Sequence, residues 1–135
     1  MVLVDTHVWV WWVHGDSLLP ATIRSFLDAR QNDVGVCSIS CWEVAKLVEL
    51  HRIVLSRPIS EWLDLALAYP SVQLLALTPS IAVESSQLPG TFHRDPADQI
   101  IVATARVFGC PLLTLDSKIL DYPHVHAIPS APTAA

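Results

Sequence analysis

The sequence predicts an α/β domain whose central sheet is mostly parallel and is covered on both faces. Short apolar runs rich in valine and leucine recur along the chain, and longer segments with helical periodicity separate them. The short runs are continuously apolar rather than alternating, which is typical of strands that are buried on both sides. There is no internal repeat and no linker, so one domain accounts for all of these elements.

The predicted elements follow one another in a regular order. Val2–Val4 is a buried strand, and Asp5 and Thr6 could cap a short helix after it. Residues 19–29 are predicted to be a helix because Pro20 lies near the start and the apolar residues share one face. The other predicted strands are Val34–Cys37, 72–77, 112–115 and a weak one at 125–127. The other predicted helices are 40–50, 60–69, Pro79–Ser86, 95–108 and a short turn at 118–120.

Composition limits the class of protein. The chain has 135 residues, 52% of them hydrophobic and 16% charged, which is enough apolar material for a core. The purest apolar run, 8–13, is far shorter than the roughly 20 residues that a membrane span needs. The N-terminus lacks the basic start of a signal peptide. We therefore expect a soluble cytoplasmic protein without a membrane association, with a domain at 1–128 and a flexible tail at 129–135.

Cysteine spacing and net charge exclude two further classes of function. Cys37, Cys41 and Cys110 show no Cys-x-x-Cys spacing, so they are predicted to be free thiols rather than zinc ligands. The formal charge of −5 argues against a general polyanion binder. Any contact with nucleic acid must therefore use a local basic patch.

Acidic residues recur where predicted strands end or the following helices begin. Asp5 ends the first strand, Glu43 follows the second, Asp98 lies at the start of helix 95–108, and Asp116 ends the segment PLLTLD. Ligands of open α/β sheets bind outside the carboxyl ends of the strands. We therefore expect these four carboxylates to meet at one edge of the sheet.

Helix capping is the alternative explanation for each acid. Ser40 and Glu43 fit the capping box Ser-x-x-Glu, and Asp116 could cap a short turn. Asp95 fits an N-cap acid, Pro96 a proline at the first helical position, and Asp98 an acid at the third helical position. For any single acid this alternative stays open.

Two features favour a shared site over separate caps. Asp98 is in line with the apolar residues of its helix, and Glu43 is in line with Leu47, so both are directed towards the core. Inward carboxylates are costly unless something neutralises them, and a divalent cation would neutralise several at once. Because all the ligands are oxygens, Mg²⁺ or Mn²⁺ is favoured over zinc. The chemistry predicted is metal-assisted hydrolysis of a phosphodiester, which leaves a 5′-phosphate and a 3′-hydroxyl.

These motifs resemble those of the PIN-domain nucleases, most closely the VapC-type toxins of prokaryotic toxin–antitoxin modules. The resemblance runs through VDTHVWVWW, SISCWEVAKLVELHRI, FHRDPADQIIVATA and PLLTLD. It implies a three-layer α/β/α domain and an endoribonuclease that depends on Mg²⁺ or Mn²⁺. It also implies a homodimer and a cognate VapB-type antitoxin that inserts a segment into the acidic groove.

The resemblance assigns roles residue by residue. Asp5, Glu43 and Asp98 match the family's metal-holding acids, and Asp116 matches a fourth acid whose contribution varies. These four are the predicted catalytic and metal-binding residues, whereas Asp95 is assigned mainly to capping.

The predicted substrate-binding residues are two cations and two hydroxyls. Arg94 and Lys46 could contact phosphates, although ordinary solvated charges are the alternative. Thr6 and Thr114 could orient a metal-bound water or a carboxylate, or they could simply bond the backbone. The tryptophans at 9, 11 and 12 cannot all face one core, so at least one is expected at an interface. A crowded core with one exposed indole is the alternative.

Two other functions remain as alternatives. A metal-dependent phosphatase of the haloacid-dehalogenase type would need a second acid two residues after Asp5, where this chain has His7. A catalytically weak module that acts only by binding its antitoxin would differ in lacking an EDTA-sensitive ribonuclease activity. Nucleotide-binding folds that depend on glycine-rich turns are excluded, because the four glycines are scattered.

Overall fold

A five-stranded, wholly parallel sheet forms the centre of the protein. The computed structural model describes residues 1–29 and 33–128, and the tail predicted at 129–135 lies outside them. The strands are β1 Val2–Val4, β2 Val34–Cys37, β3 Val72–Leu75, β4 Leu112–Leu113 and β5 Ala127–Ile128. Their order in the sheet is β3-β2-β1-β4-β5, so β1 lies at the centre. The predicted α/β class is confirmed.

Helices cover the two faces of the sheet. Within the described ranges they are α1 Thr6–His14, α2 Ala21–Ala29, α3 Ser38–Glu49, α4 Ile59–Leu67, α5 Pro79–Ser86, α6 Pro96–Phe108 and α7 Ser117–Leu120. α1 and α6 end at Gly15 and Gly109, whose φ angles of 63° and 62° lie in the left-handed region that glycine favours. No helix among the described residues is both long enough and apolar enough to cross a bilayer.

The predicted boundaries differ from the observed ones mainly at the edges of the sheet. Strand 72–77 ends at Leu75, strand 112–115 ends at Leu113, and the last strand is Ala127–Ile128 instead of 125–127. The register explains the short β4, because only Leu112 and Leu113 pair with β5. The next residue, Thr114, uses its hydroxyl group in the contacts of the candidate site described below.

Two hydrophobic cores lie on opposite faces of the sheet, as expected for a sheet that is covered twice. Val2 and Val4 of β1 pack into the first core with α1 to α4, whereas Leu3 points into the second core with α6 and α7. Full burial of such side chains stabilises the fold by about 1.5–3 kcal/mol each. The edge strand β3 is less protected, since Leu74 is 52% exposed.

The three tryptophans of α1 are not equally buried. Trp9 and Trp12 are buried in the first core, and Trp11 is only partly buried against it. The prediction that the three cannot all face one core is wrong, because Trp11 also packs against the first core. A tryptophan at an interface stays a prediction. The predicted free thiols are confirmed, since Cys37, Cys41 and Cys110 form no disulfide.

Candidate metal centre

Asp5 connects the centre of the sheet to the start of α1. It follows β1 directly, is 6% exposed, and accepts a hydrogen bond from the amide of Val8 at 2.9 Å as the N-cap of α1. Its second oxygen accepts a hydrogen bond from the hydroxyl of Thr114, which follows the neighbouring strand β4. Asp5 is therefore a helix cap and is also tied to the next strand at the carboxyl edge of the sheet.

Asp116 is held next to Asp5 through the same threonine. Its amide donates to Thr114 Oγ1 at 3.0 Å, and its carboxylate accepts from the amide of Lys118 at 2.9 Å as the N-cap of α7. The predicted cap at Asp116 is confirmed. Thr114 is fully buried, so it fixes the spacing of the two acids from within the protein.

Glu43 reaches the same edge from α3. Thr6 Oγ1 donates to Glu43 Oε1 at 2.5 Å and lies 2.8 Å from the hydroxyl of Ser40. The capping box predicted for Ser40 and Glu43 is wrong, because α3 begins at Ser38 with Cys37 as its N-cap. Ser40 thus lies inside the helix and is buried, where it supports Thr6.

Asp95 and Asp98 lie on the first turn of α6. Asp95 is the N-cap and accepts from the amide of Asp98 at 3.1 Å, which confirms its predicted capping role. Asp95, Asp98 and Glu43 also each present a carboxylate oxygen, and the three oxygens lie within 4.8 Å of one another. The structure therefore adds Asp95 to the predicted acids, and it places Asp5 and Asp116 beside this trio.

Burial and mutual repulsion make it costly to ionise all of these acids together. Burial, together with the negative charges of Asp95, Glu43, Asp116 and Asp5, raises the pKa of Asp98 to about 7. Burial also raises the pKa of Asp5 and of Glu43, while hydrogen bonds from Thr114 and Thr6 oppose that rise. The five carboxylates are thus electrostatically coupled at one edge of the sheet.

The donor set fits a hard divalent cation. The trio of Glu43, Asp95 and Asp98 offers oxygen atoms alone, which Mg²⁺ and Mn²⁺ prefer and which suit zinc less well. A bound cation would also offset the repulsion that raises the pKa of Asp98. The structure therefore has an acidic cluster that could hold a divalent metal ion.

The predicted substrate contacts differ in their surroundings. Thr6 and Thr114 are both buried and both donate to carboxylates, as one of their predicted roles requires. Arg94 is exposed just before α6. Lys46 Nζ forms an exposed ion pair with Glu49 at 3.0 Å and lies 5.9 Å from the centre of the Trp42 ring.

His93 is a further neighbour of the acids and is not among the predicted site residues. Its Nε2 lies 3.0 Å from Asp98 Oδ2, an ion-pair distance, although the direction is not that of a hydrogen bond. The ring packs against Phe92 with the centroids 4.5 Å apart, and the backbone carbonyl accepts from Gln99 Nε2 at 3.1 Å. In the sequence, His93 lies five residues before Asp98. This position alone does not predict that its side chain contacts that acid.

Comparison with known proteins identifies the family. Residues 2–125 match the family model of the PIN domain. Ribonuclease VapC22 of Mycobacterium tuberculosis is 34% identical over 123 residues, which cover 91% of this chain and 92% of that protein.

Solved structures agree in fold. The structure of VapBC2 from Rickettsia felis, bound to a DNA fragment from its promoter, has a TM-score of 0.69 at 16% identity and covers 95% of this chain and 98% of that chain. The sarcin–ricin loop cleaving toxin VapC20 of Mycobacterium tuberculosis has a TM-score of 0.65 at 16% identity, with 93% and 99% covered. From the match over residues 2–125 and the 34% identity to VapC22, this chain belongs to the PIN-domain family, among its VapC-type ribonucleases.

Proposed function

We propose that this protein is the toxin of a type II toxin–antitoxin pair and that it cleaves RNA as an endoribonuclease dependent on Mg²⁺ or Mn²⁺. The observation that carries the proposal is the meeting of the acidic residues at the carboxyl edge of the sheet, in a chain 34% identical to a named ribonuclease. The substrate class comes from that relative, and the metal dependence comes from the chemistry of the donor oxygens.

The metal would be held by the acids that the structure groups together. We propose Asp5, Glu43 and Asp98 as its core, supported by Asp116, and we add Asp95 because its oxygen lies within 4.8 Å of those of Glu43 and Asp98. Mg²⁺ commonly keeps several waters and takes only one or two carboxylates directly, so the remaining acids can act through water. When bound, such a cation polarises a phosphodiester and lowers the pKa of water at the site.

The remaining residues of the site orient these acids and the substrate. By donating to Glu43 and Asp5, the hydroxyls of Thr6 and Thr114 favour the ionised carboxylates that a cation requires. Arg94 is proposed as a phosphate contact because it is exposed next to Asp95. Lys46 is a second phosphate contact, and it would have to leave Glu49 to act.

A VapB-type antitoxin and a second copy of the chain are the proposed protein partners. Support for the antitoxin comes from the Rickettsia felis structure, which contains both VapB and VapC components and has a similar fold. An antitoxin segment that enters the acidic groove would block the site, as the sequence resemblance implies. The homodimer is proposed from that resemblance alone.

A ribonuclease assay tests the proposed function directly. Purified protein is expected to cleave long single-stranded RNA with Mg²⁺ or Mn²⁺, to lose this activity in EDTA, and to regain it when excess Mn²⁺ is added. The products should carry 5′-phosphates and 3′-hydroxyls, since water is the attacking group. A contaminating ribonuclease is excluded by purifying the Asp98→Asn variant in the same way. Activity that resists EDTA, or products with 2′,3′-cyclic ends, would contradict the mechanism, and no activity at all would favour the antitoxin-binding module.

His93 is expected to strengthen metal binding by orienting Asp98. Partners of ligating carboxylates typically change metal affinity by about 10–100-fold. His93→Phe keeps a ring against Phe92 but removes the nitrogen that faces Asp98, so Mn²⁺ should bind about 10-fold more weakly by calorimetry. His93→Gln restores an N–H group of similar reach and should recover most of the affinity. Equal Mn²⁺ affinity in the wild type and His93→Phe would show that the contact with Asp98 has no role in metal binding.

A further inference from the structure

A cavity of about 330 Å³ adjoins the acidic cluster on the side of α1. It is lined by Asp5, His7, Trp11, Leu115 and Asp116. His7 and Trp11 are four residues apart on α1 and therefore share one face of the helix. Their ring centroids are 5.7 Å apart, and the ring planes are tilted by 51°. The cavity thus joins two carboxylates of the proposed catalytic site to a pair of aromatic rings.

The two rings differ in how firmly they are held. Trp11 is partly buried and packs against the first hydrophobic core, so its indole is a fixed surface. His7 is exposed at the start of α1, and it is near enough to Asp5 and Glu43 to act on them electrostatically. A flat ligand in the cavity would contact the indole and Leu115 on its apolar side and would lie next to Asp5 and Asp116.

The charge of the protein limits how an RNA strand can be held here. The chain has a formal charge of −5, and the site itself is a cluster of acids, so the field around it repels phosphates. Lys46, one of the few nearby cations, already pairs with Glu49. Apart from the metal and the proposed phosphate contacts of Arg94 and Lys46, binding must therefore use contacts that do not need positive charge. Base stacking on aromatic side chains is such a contact, and removing one platform weakens binding by roughly 5- to 150-fold.

We propose that this cavity is a nucleobase subsite, which seats one unpaired base of the RNA next to the phosphate that is cut. The inference rests on the proposed ribonuclease function and extends it to the way in which the substrate is chosen. Trp11 is the stacking surface, and His7 is the second aromatic contact, at the mouth of the cavity. A base within a duplex cannot turn into such a cavity while it stays paired, so the subsite selects single-stranded RNA.

Kinetics on a defined RNA separate stacking from catalysis. A single-stranded 20-nucleotide RNA is cut with Mn²⁺, the cleavage position is mapped, and kcat and KM are measured for Trp11→Leu and His7→Ala. Each variant is expected to raise KM about 5- to 50-fold and to change kcat less than about threefold. Phe108→Ala is the matched control, because Phe108 is 50% exposed at the end of α6, at the opposite edge of the sheet. The control should behave as the wild type does.

Substrates that lack single bases test the subsite itself. Removing the base that occupies the cavity should raise the KM of the wild type by a similar factor, and should raise the KM of Trp11→Leu no further. If Trp11→Leu unfolds, which the thermal transition reports, His7→Ala supplies the same comparison, since His7 is exposed. Folded variants with the KM of the wild type would overturn the subsite. The subsite would also be overturned if every abasic substrate raised the KM of the variant by the same factor as it raises the KM of the wild type. If the wild type cuts no RNA with Mn²⁺, the proposed function fails, and the subsite fails with it.

Discussion

Replacing Asp5 by asparagine is expected to lower the rate of RNA cleavage at least about 100-fold. Substitutions that only remove a hydrogen-bond partner of a metal ligand already lower metal affinity or activity by up to about 100-fold. The side chain keeps its shape but loses its charge, which is one of the coupled charges of the acidic cluster. The fold should survive, since asparagine retains an oxygen for the amide of Val8, and the hydroxyl of Thr114 can turn to accept from the new amide. The measurements are kcat with saturating Mn²⁺ and the thermal transition of the same sample.

The control for this experiment is an acid of the same type away from the site. Asp64 is exposed on α4, and Asp64→Asn should leave both the cleavage rate and the thermal transition unchanged. Asp98→Asn should reproduce the loss of Asp5→Asn, because both acids belong to one electrostatically coupled cluster. Should Asp5→Asn cleave RNA at the wild-type rate, Asp5 has only a structural role as the N-cap of α1, and the proposed site loses one of its three core residues.

Capping and catalysis were competing explanations of the acids in the sequence, and the structure shows why that contrast is too sharp. In a parallel α/β domain, the helix that follows a strand begins at the carboxyl edge of the sheet, where ligands bind. An acid at that position can cap the helix with one oxygen and direct the other towards the site. Asp5 accepts from Val8 and from Thr114 on different oxygens, and Asp95 caps α6 while it lies near Glu43. A capping pattern is therefore no argument against a functional role in this fold class.

The grouping of the acids could be predicted only in part. The rule for parallel sheets predicts that Asp5, Glu43, Asp98 and Asp116 lie at one edge, from strand and helix order alone. It does not show that Thr114 ties Asp5 to Asp116, or that Glu43 bonds Thr6, because these contacts join residues 109 and 37 positions apart. The place of Asp95 in the trio likewise depends on where α3 lies relative to α6.

The start of α3 shows where local signals mislead. Ser40 and Glu43 match a capping box, but β2 passes into the helix without a loop, and Cys37 both ends the strand and caps α3. The serine therefore falls two residues inside the helix. Its hydroxyl contacts Thr6 from α1, so a tertiary contact replaces the local one that the pattern predicts.

Without metal, the protein is expected to be less stable at pH 8 than at pH 5, and Mn²⁺ should reverse most of that loss. The pKa of Asp98 is raised from 3.8 to about 7, so between these values the folded state keeps a proton that the unfolded chain has released. Stability therefore falls as the pH rises through this window and levels off above it. The raised pKa values of Asp5 and Glu43 act in the same direction.

Mn²⁺ acts against this trend because it takes the place of the protons. Its affinity should rise with pH, and at about 100 times the dissociation constant it should stabilise the fold by about 2.7 kcal/mol, or roughly 10 °C in Tm. Thermal scans at pH 5 and pH 8, with and without Mn²⁺, measure both effects. Asp98→Asn has no carboxylate to titrate at this position, so its metal-free Tm should depend less on pH, and Mn²⁺ should raise it less. Coupled, buried carboxylates cannot lose their protons without destabilising the folded state. A wild-type Tm that responds neither to pH over this range nor to Mn²⁺ would therefore mean that the acids of the cluster ionise independently and hold no cation.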